Sequence, residues 1–275
     1  MSSIFKTNKT IIQIIFVTLL CLSLVLSVND KEFNNKVQLN KIDPNPDIAK
    51  IIPESCKKDC STEFNTVLGE NSNVIGFSNC NAYYCSNFDD GPVMIKKEAL
   101  GTKEDIFSGI RWQCVEYARR WLIINKRFTF EGVDSAYQIW DINTVSRIDD
   151  DKKSKFASYK NDSGVPPKLG DLIIFRNNSQ NPHGHVAVIF DSDLEKGYID
   201  VAEQNNFNTK WETKTYARRI KLFTKNKESN PQYYLTEVSY SEHNSKCSLE
   251  NDFNCHLGNF EINDNLIIGW KRIED

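Results

Sequence analysis

Apolar and polar positions are distributed differently along three parts of this chain, and each part predicts a different kind of segment. An apolar run extends from residue 11 to residue 26, interrupted only by Gln13, Thr18 and Ser23. Residues 29–54 are polar, rich in Asn, Asp and Lys, and contain prolines but no sustained period. From about residue 74 onward, short apolar pieces recur at helix and strand spacing. We therefore expect the folded core in the last part.

Residues 114–126 have the three-and-four spacing of an amphipathic helix. Val115, Ala118 and Leu122 form one apolar stripe, and a Ser108-Gly109-Ile110 loop precedes it. We predict that the helix opens at Cys114. Unpaired N–H groups and the helix dipole favour an anion at this end, and hence the thiolate form of a cysteine placed there. For Cys114 taken alone, a buried structural cysteine is the alternative interpretation.

The carboxyl-terminal half has the shorter spacing of β-strands. A second helix is predicted from about 134 to 145, the charged residues 147–163 are predicted to be the least ordered internal stretch, and residues 224–262 are predicted to be a polar insertion. A helix packed on an antiparallel sheet predicts an α+β fold. The predicted strands lie at about 172–176, 185–191, 198–203, 215–223 and 266–273.

Two strand ends add chemistry to Cys114. His185 opens one predicted strand after a glycine-containing turn, and Glu203 ends the next strand. A cysteine nucleophile, a histidine base and a carboxylate that orients the imidazole are the parts of a cysteine hydrolase. His183 is an alternative base, although it falls in the turn. Glu116 and Arg119, three residues apart on the helix, are interpreted as a structural pair.

Three segments together resemble the CHAP amidase family (cysteine, histidine-dependent amidohydrolases/peptidases). They are Trp112–Arg120, Gly184–Ala187 and Ala202–Asn205. Within that family the chain is similar, from about Val74 to Asp275, to the amidase domain of glutathionylspermidine synthetase/amidase. The resemblance implies a papain-like CHAP fold, with the nucleophile helix packed on an antiparallel sheet.

The resemblance also implies an activity and its residues. Cys114, His185 and Glu203 would hydrolyse an amide through a thioester intermediate, with no metal or organic cofactor. By analogy with other cysteine hydrolases, Gln113 is a candidate oxyanion donor and Asn205 an alternative orienting residue. Small peptide-like substrates are implied, and both glutathionylspermidine-type and peptidoglycan-type amides stay open. An inactive, disulfide-stapled binding module on the same scaffold is the alternative function.

The number of cysteines indicates the redox state of the compartment in which the chain folds. Cys21 lies in the apolar run, and setting Cys114 aside as the nucleophile leaves six cysteines, which predict three disulfides in an oxidising compartment. Cys247 and Cys255 bracket a polar loop and are expected to pair, whereas the other pairings stay open. The alternative is a zinc site, although its cysteine spacing is loose for a zinc knuckle. The disulfide candidates are Cys56, Cys60, Cys80, Cys85, Cys247 and Cys255, and the first four are the alternative zinc ligands.

The amino-terminal pattern agrees with secretion. Lys6 and Lys9 precede the apolar run, so we predict a signal peptide at 1–28, a flexible lead-in at 29–54 and the amidase domain at 55–275. A retained membrane anchor is the alternative. The expected location is outside the cell or in the lumen of the secretory or endolysosomal pathway. Asn161 and Asn177 start sequons that a secreted chain could carry glycosylated.

The overall charge excludes one class of partner. The formal net charge is -3 and no long basic tract is present, so the sequence has no electrostatic footprint for nucleic acid. The expected partner is therefore a small peptide-like or cell-wall amide substrate. A membrane is expected as a partner only if the amino-terminal segment is retained.

Overall fold

The computed structural model describes residues 60–80, 91–179, 181–226, 228–239 and 266–274. The helices are Lys97–Leu100, Cys114–Lys126 (the Cys114 helix) and the 3₁₀ helix Ala136–Asp141. The strands are β1 (Val67–Asn71), β2 (Val74–Phe77), β3 (Pro92–Ile95), β4 (Ile106–Ile110), β5 (Phe128–Thr129), β6 (Thr144–Arg147), β7 (Lys153–Lys160), β8 (Leu172–Phe175), β9 (His185–Asp193), β10 (Tyr198–Ala202), β11 (Arg218–Lys225), β12 (Gln232–Ser239) and β13 (Ile267–Glu274). Among these described residues, no helix is both long and apolar enough to span a membrane.

The central sheet is antiparallel and has nine strands in the order β12-β11-β10-β9-β8-β13-β7-β6-β5. The strands from β8 to β12 follow one another as neighbours, whereas β13 inserts between β8 and β7. The Cys114 helix packs against one face, where it shares a buried cluster with β8 and β9. The predicted α+β, papain-like arrangement is confirmed.

Alternating side chains bury both faces of the sheet at its centre. Leu172 and Ile174 belong to the cluster beneath the Cys114 helix, whereas Ile173 and Phe175 belong to the cluster on the opposite face. All four side chains are nearly inaccessible to solvent. Because a strand exposes successive side chains on opposite faces, an unbroken apolar strand such as β8 is the sequence signature of this arrangement.

Two short hairpins approach the helix. Strands β1 and β2 form one hairpin, and β3 and β4 form the other. The residues 108–110, predicted as a loop, instead end strand β4, which leads directly into the Cys114 helix. The hairpin β3–β4 therefore fixes where the helix begins.

Two predictions of secondary structure for the segment between the Cys114 helix and strand β8 are wrong. The helix predicted from 134 to 145 is limited to the 3₁₀ helix, because residues 144–147 pair with β5 and β7 instead. The stretch 147–163, predicted as poorly ordered, contains β7, which pairs with β13 over residues 155–160. Phe156 supplies the buried anchor of that strand among its charged neighbours. The lysines at positions 153, 155 and 160 give this stretch its polar appearance in the sequence.

The polar stretch predicted at 224–262 starts within the sheet. Strand β11 continues to Lys225, and β12 pairs with it along the edge of the sheet. Residues 240–265 lie outside the described residues, as do the predicted signal peptide and lead-in.

Candidate active site

Cys114 occupies the first position of its helix. The preceding residue, Gln113, has an extended backbone (φ -77°, ψ 152°) and caps the helix. The Cys114 side chain is buried, and its thiol forms no disulfide. Backbone N–H groups at a helix start have no partner within the helix, so they face whatever approaches this thiol. The predicted start of the helix is confirmed.

His185 opens strand β9 and lies between the thiol and a carboxylate. Its Nε2 is 2.7 Å from Oε2 of Glu203, and its imidazole also forms a hydrogen bond with the thiol of Cys114. Because Nε2 is engaged by Glu203, Nδ1 is the ring nitrogen available to the thiol. The structure therefore brings together the three residues that the sequence singled out.

The turn before His185 depends on Gly184. Its φ is 63°, a left-handed conformation, and a Cβ there would lie 2.5 Å from the backbone oxygen of Phe175. Glycine alone satisfies both conditions without strain. His183 lies in this turn, where its Nδ1 is 2.9 Å from Oγ of Ser135 and its side chain is exposed. The alternative base thus belongs to the loop surface.

The surroundings of His185 and Glu203 favour their charged forms. Burial opposes the imidazolium, yet the hydrogen bonds and charges of Cys114 and Glu203 together raise the pKa of His185 to about 10. Burial also works to raise the pKa of Glu203, but the nearby Arg218 and His185 outweigh it and hold that pKa well below its usual range. At neutral pH the pair is therefore an imidazolium beside a carboxylate.

Two residues that sequence reasoning missed hold the second oxygen of Glu203. Arg218 donates from Nε to Oε1 over 2.7 Å, and Asn206 donates from Nδ2 to the same atom over 3.1 Å. Arg218 reaches Glu203 because it pairs with Val201 across β10 and β11. A long connection separates these two strands, so their register could not be read from the sequence.

Asn205 is not the residue that orients the imidazole of His185, the alternative that the sequence left open. In the described structure its Nδ2 donates to Oε1 of Gln113 over 2.7 Å, and its Oδ1 accepts from Asn79 over 3.1 Å. Asn205 therefore holds the amide of Gln113, and Glu203 is the residue that contacts His185. The bond from Asn205 fixes which end of the Gln113 amide accepts, so Nε2 is the end that can donate.

The interpretation of the charged residues on the Cys114 helix needs one correction. Glu116 pairs with Arg120 at 2.6 Å, one turn along, rather than with Arg119. Arg119 instead donates to the backbone oxygens of Ser108, Phe130 and Glu131. The predicted structural role is right for both residues, but the partner is different.

The cysteine and sequon predictions have mixed outcomes. Cys60 and Cys80 form a disulfide, so these two sulfurs are not zinc ligands. The other four candidates, Cys56, Cys85, Cys247 and Cys255, lie outside the described residues. The side-chain amide of Asn161 is buried, where it donates to the oxygen and accepts from the nitrogen of Leu235, so it is not accessible in the folded chain. Asn177 is exposed.

Comparison with known proteins supports the resemblance stated above. Residues 105–205 match the family model of the CHAP domain. The bifunctional glutathionylspermidine synthetase/amidase of Escherichia coli (strain K12) is 32% identical over 103 residues, which are 37% of this chain and 16% of that protein. Trypanothione synthetase of Crithidia fasciculata is 30% identical over 119 residues, 43% of this chain and 18% of that protein. The chain thus spans only a small part of these relatives, and the predicted resemblance to the CHAP family is confirmed over the matched region.

Proposed function

We propose that the CHAP domain of this chain is a cysteine amidohydrolase or peptidase that cleaves amide bonds in small peptide-like substrates. The observation that carries the proposal is the continuous contact from Cys114 through His185 to Glu203. The nucleophile stands at a helix start, and the base is held by a buried carboxylate. This is the geometry required of a nucleophile, its base and the group that orients the base.

Acylation begins from the thiolate of Cys114 beside the imidazolium of His185. The sulfur attacks the amide carbonyl carbon, and the electron pair of the carbonyl moves onto its oxygen. When the tetrahedral intermediate collapses, the C–N bond breaks and His185 gives its proton to the leaving amine. The products of this step are a thioester on Cys114 and a free amine.

Deacylation uses the same residues in the reverse roles. Neutral His185 takes a proton from water, and the resulting hydroxide attacks the thioester carbonyl. The C–S bond then breaks, releasing a carboxylic acid and restoring the thiolate of Cys114 beside the imidazolium. Throughout, Glu203 holds the same ring nitrogen, so the tautomer of His185 is fixed for both steps.

Two groups are proposed as donors to the developing oxyanion. One is the backbone N–H of Cys114 at the helix start, which has no partner within the helix. The other is Nε2 of Gln113, whose amide is held through its oxygen by Asn205. Because the hydrogen bond from Asn205 already fixes the Gln113 amide, this donor needs little reorganisation when negative charge develops on the substrate oxygen.

The substrate part of the proposal is drawn from the relatives. The relative from Escherichia coli is named for glutathionylspermidine synthesis and amide hydrolysis, so a glutathionylspermidine-type amide is the first candidate. A peptidoglycan-type amide is the second. The Cys60–Cys80 disulfide supports the proposal that the chain is secreted or lumenal, since structural disulfides are rare in reducing compartments.

Hydrolysis by the purified protein tests the proposal. Release of amine from glutathionylspermidine and from peptidoglycan stem peptides would be measured for the parent and for Cys114→Ala and His185→Ala. We expect one substrate class to be cleaved by the parent and by neither variant. His183→Ala is the matched control, because it removes a neighbouring imidazole that contacts Ser135 and should leave turnover intact. A folded parent that cleaves no amide of either class would favour the binding-module alternative.

A further inference from the structure

The guanidinium of Arg218 is the last group in the series of contacts that runs from Cys114 through His185 to Glu203. Arg218 is 7% exposed. It donates from Nε to Oε1 of Glu203 over 2.7 Å, and its Nη2 lies 3.4 Å from Oε2. The carboxylate is thus held by a forked donor on one side and by His185 on the other. A planar fork constrains both the position and the plane of a carboxylate, which a single donor does not.

Aromatic rings hold the guanidinium itself in place. Its carbon lies 5.6 Å from the ring centroid of Phe175 and 5.8 Å from that of Phe207. The ring of Phe175 also lies 5.4 Å from the imidazole of His185. One aromatic side chain therefore contacts both the base and the group behind the carboxylate.

A carboxylate buried as deeply as Glu203 needs more than an imidazole partner. Glu203 is 4% exposed. Without Arg218, Oε1 would keep only the neutral amide of Asn206 as a described side-chain donor. Arg218 lowers the pKa of the Glu203 carboxyl, so its removal would weaken both the charge and the fixed position that Glu203 offers to the imidazole.

We propose that Arg218 is a positioning residue for the amide hydrolysis proposed above, on which this inference rests. It acts through Glu203: the fork fixes the carboxylate, and the carboxylate fixes the ring of His185 toward the thiol of Cys114. Two further titratable groups interact electrostatically with the Arg218–Glu203 pair: Tyr117 from the Cys114 helix acts on Glu203, and Glu212 from the loop before β11 acts on Arg218.

The next residue of the same strand provides a matched control. Arg219 makes a forked pair with Asp200, with donor–acceptor distances of 2.7 and 2.8 Å. It also lies over an aromatic ring, that of Tyr198 at 3.6 Å. Because adjacent residues of a strand point to opposite faces, this pair has the same chemistry but faces away from Glu203.

The experiment compares Arg218→Gln, Arg218→Lys and Arg219→Gln in the full chain by two readouts. The first is kcat and KM for the amide substrate. The second is the rate at which iodoacetamide alkylates Cys114 as a function of pH, with Cys114→Ala to identify background labelling. Alkylation needs no known substrate. If the parent cleaves no amide, the proposed function fails, whereas the alkylation profile still tests Arg218.

We expect Arg218→Gln to lower kcat on the order of 10- to 100-fold with little change in KM, the loss typical of partners that orient an active-site ligand. With the imidazole no longer held toward the sulfur, alkylation of Cys114 should also slow at neutral pH. Arg218→Lys keeps the charge but loses the fork, so it should lower kcat and slow alkylation by smaller factors than Arg218→Gln. Arg219→Gln should change neither readout.

Two results would overturn the proposal. One is parent-like kcat and an unmoved alkylation profile in Arg218→Gln. The other is an equal loss of kcat in Arg219→Gln, which would make the effect one of general stability. If Arg218→Gln does not fold, Arg218→Lys decides: unchanged kcat in that folded variant would contradict a role for the fork.

Discussion

Two buried glutamates, Glu116 and Glu203, are held in almost the same way and differ in one partner. Each is paired with an arginine, Glu116 with Arg120 at 2.6 Å and Glu203 with Arg218 at 2.7 Å. The remaining side-chain partners described for Glu116 are Ser108 and Gln204. Glu203 instead has one oxygen on an imidazole. The difference teaches that burial and pairing do not mark a functional carboxylate, whereas a titratable partner that also reaches a nucleophile does.

Consecutive residues connect the two glutamates. Gln204 follows Glu203 in the chain, and its Nε2 donates both to Oε2 of Glu116 and to the backbone oxygen of Gln113. Gln113 in turn precedes Cys114. The network around Glu116 thus fixes the start of the Cys114 helix against the loop that carries Glu203. Glu116 therefore positions the helix, whereas Glu203 orients His185 in the proposed mechanism.

The largest expected effect comes from Glu203→Gln. The variant removes the charge that stabilises the imidazolium. It also presents to His185 an amide that can either donate or accept a hydrogen bond, so the tautomer of the imidazole is no longer fixed. We expect kcat/KM to fall by about 10³- to 10⁴-fold, as when the carboxylate of a catalytic triad is replaced by an amide. Kinetics would be measured at a temperature where circular dichroism shows a folded chain. Activity within tenfold of the parent would remove the distinction between the two glutamates.

The next largest effect is on stability, in Glu116→Gln. Both members of the Glu116–Arg120 pair are fully buried, so the change leaves an arginine charge without its counterion. We expect the free energy of unfolding to fall by about 3–5 kcal/mol, measured by urea denaturation. In the folded fraction kcat should stay near that of the parent. A variant of normal stability with lost kcat would assign Glu116 to the chemistry instead.

The sequence could predict the parts of the site but not the network that holds them. Apolar spacing located the start of the Cys114 helix and the strand that His185 opens, because these depend on local periods of 3.6 and 2. Arg218 could not be found, since its place beside Glu203 depends on strand register across a long connection. The choice between Arg119 and Arg120 as the partner of Glu116 likewise depends on Ser108 and Phe130, which take up Arg119.

The same limit explains the errors in the fold. Residues 134–145 contain buried apolar positions at helical spacing, including Ala136 and Ile139, yet β5 and β7 recruit residues 144–147 into the sheet. Asn161 reads as an ordinary sequon in a polar stretch, but the backbone of Leu235 binds its amide. In each case a distant partner decided the outcome, and no local pattern records that partner.

A pH titration sharpens the comparison, because Glu203 contacts His185 and Glu116 has no described contact with it. The pKa of His185 in the folded chain is about 10, above the value of about 6.5 for an unfolded chain. The stabilisation from the charged imidazole is therefore complete below about 6.5 and is lost as the pH rises through about 10. We expect the alkaline limb of kcat/KM near that pH, and at a lower pH in Glu203→Gln. His183→Ala should leave the limb unmoved, and a limb near 6.5 in the parent would contradict the ion pair.

The smallest expected effects come from removing one neutral donor from each carboxylate. Ser108→Ala deletes a 2.8 Å contact to Glu116, and Asn206→Ala deletes a 3.1 Å contact to Glu203. Each should lower the free energy of unfolding by about 1–3 kcal/mol, the cost typical of a lost hydrogen bond to a charged group. Only Asn206→Ala should also lower kcat. Thermal denaturation and steady-state kinetics of both variants would show whether that separation holds.

The central claim is that Cys114 becomes acylated during turnover, and mass spectrometry after acid quench tests it most directly. The protein would be mixed with glutathionylspermidine or a peptidoglycan stem peptide, quenched within one turnover and digested. We predict that the peptide containing Cys114 gains the mass of the acyl half of the cleaved substrate, and that Cys114→Ala shows neither the adduct nor turnover. Turnover by Cys114→Ala, or turnover by the parent with the adduct on another residue, would contradict the thioester mechanism.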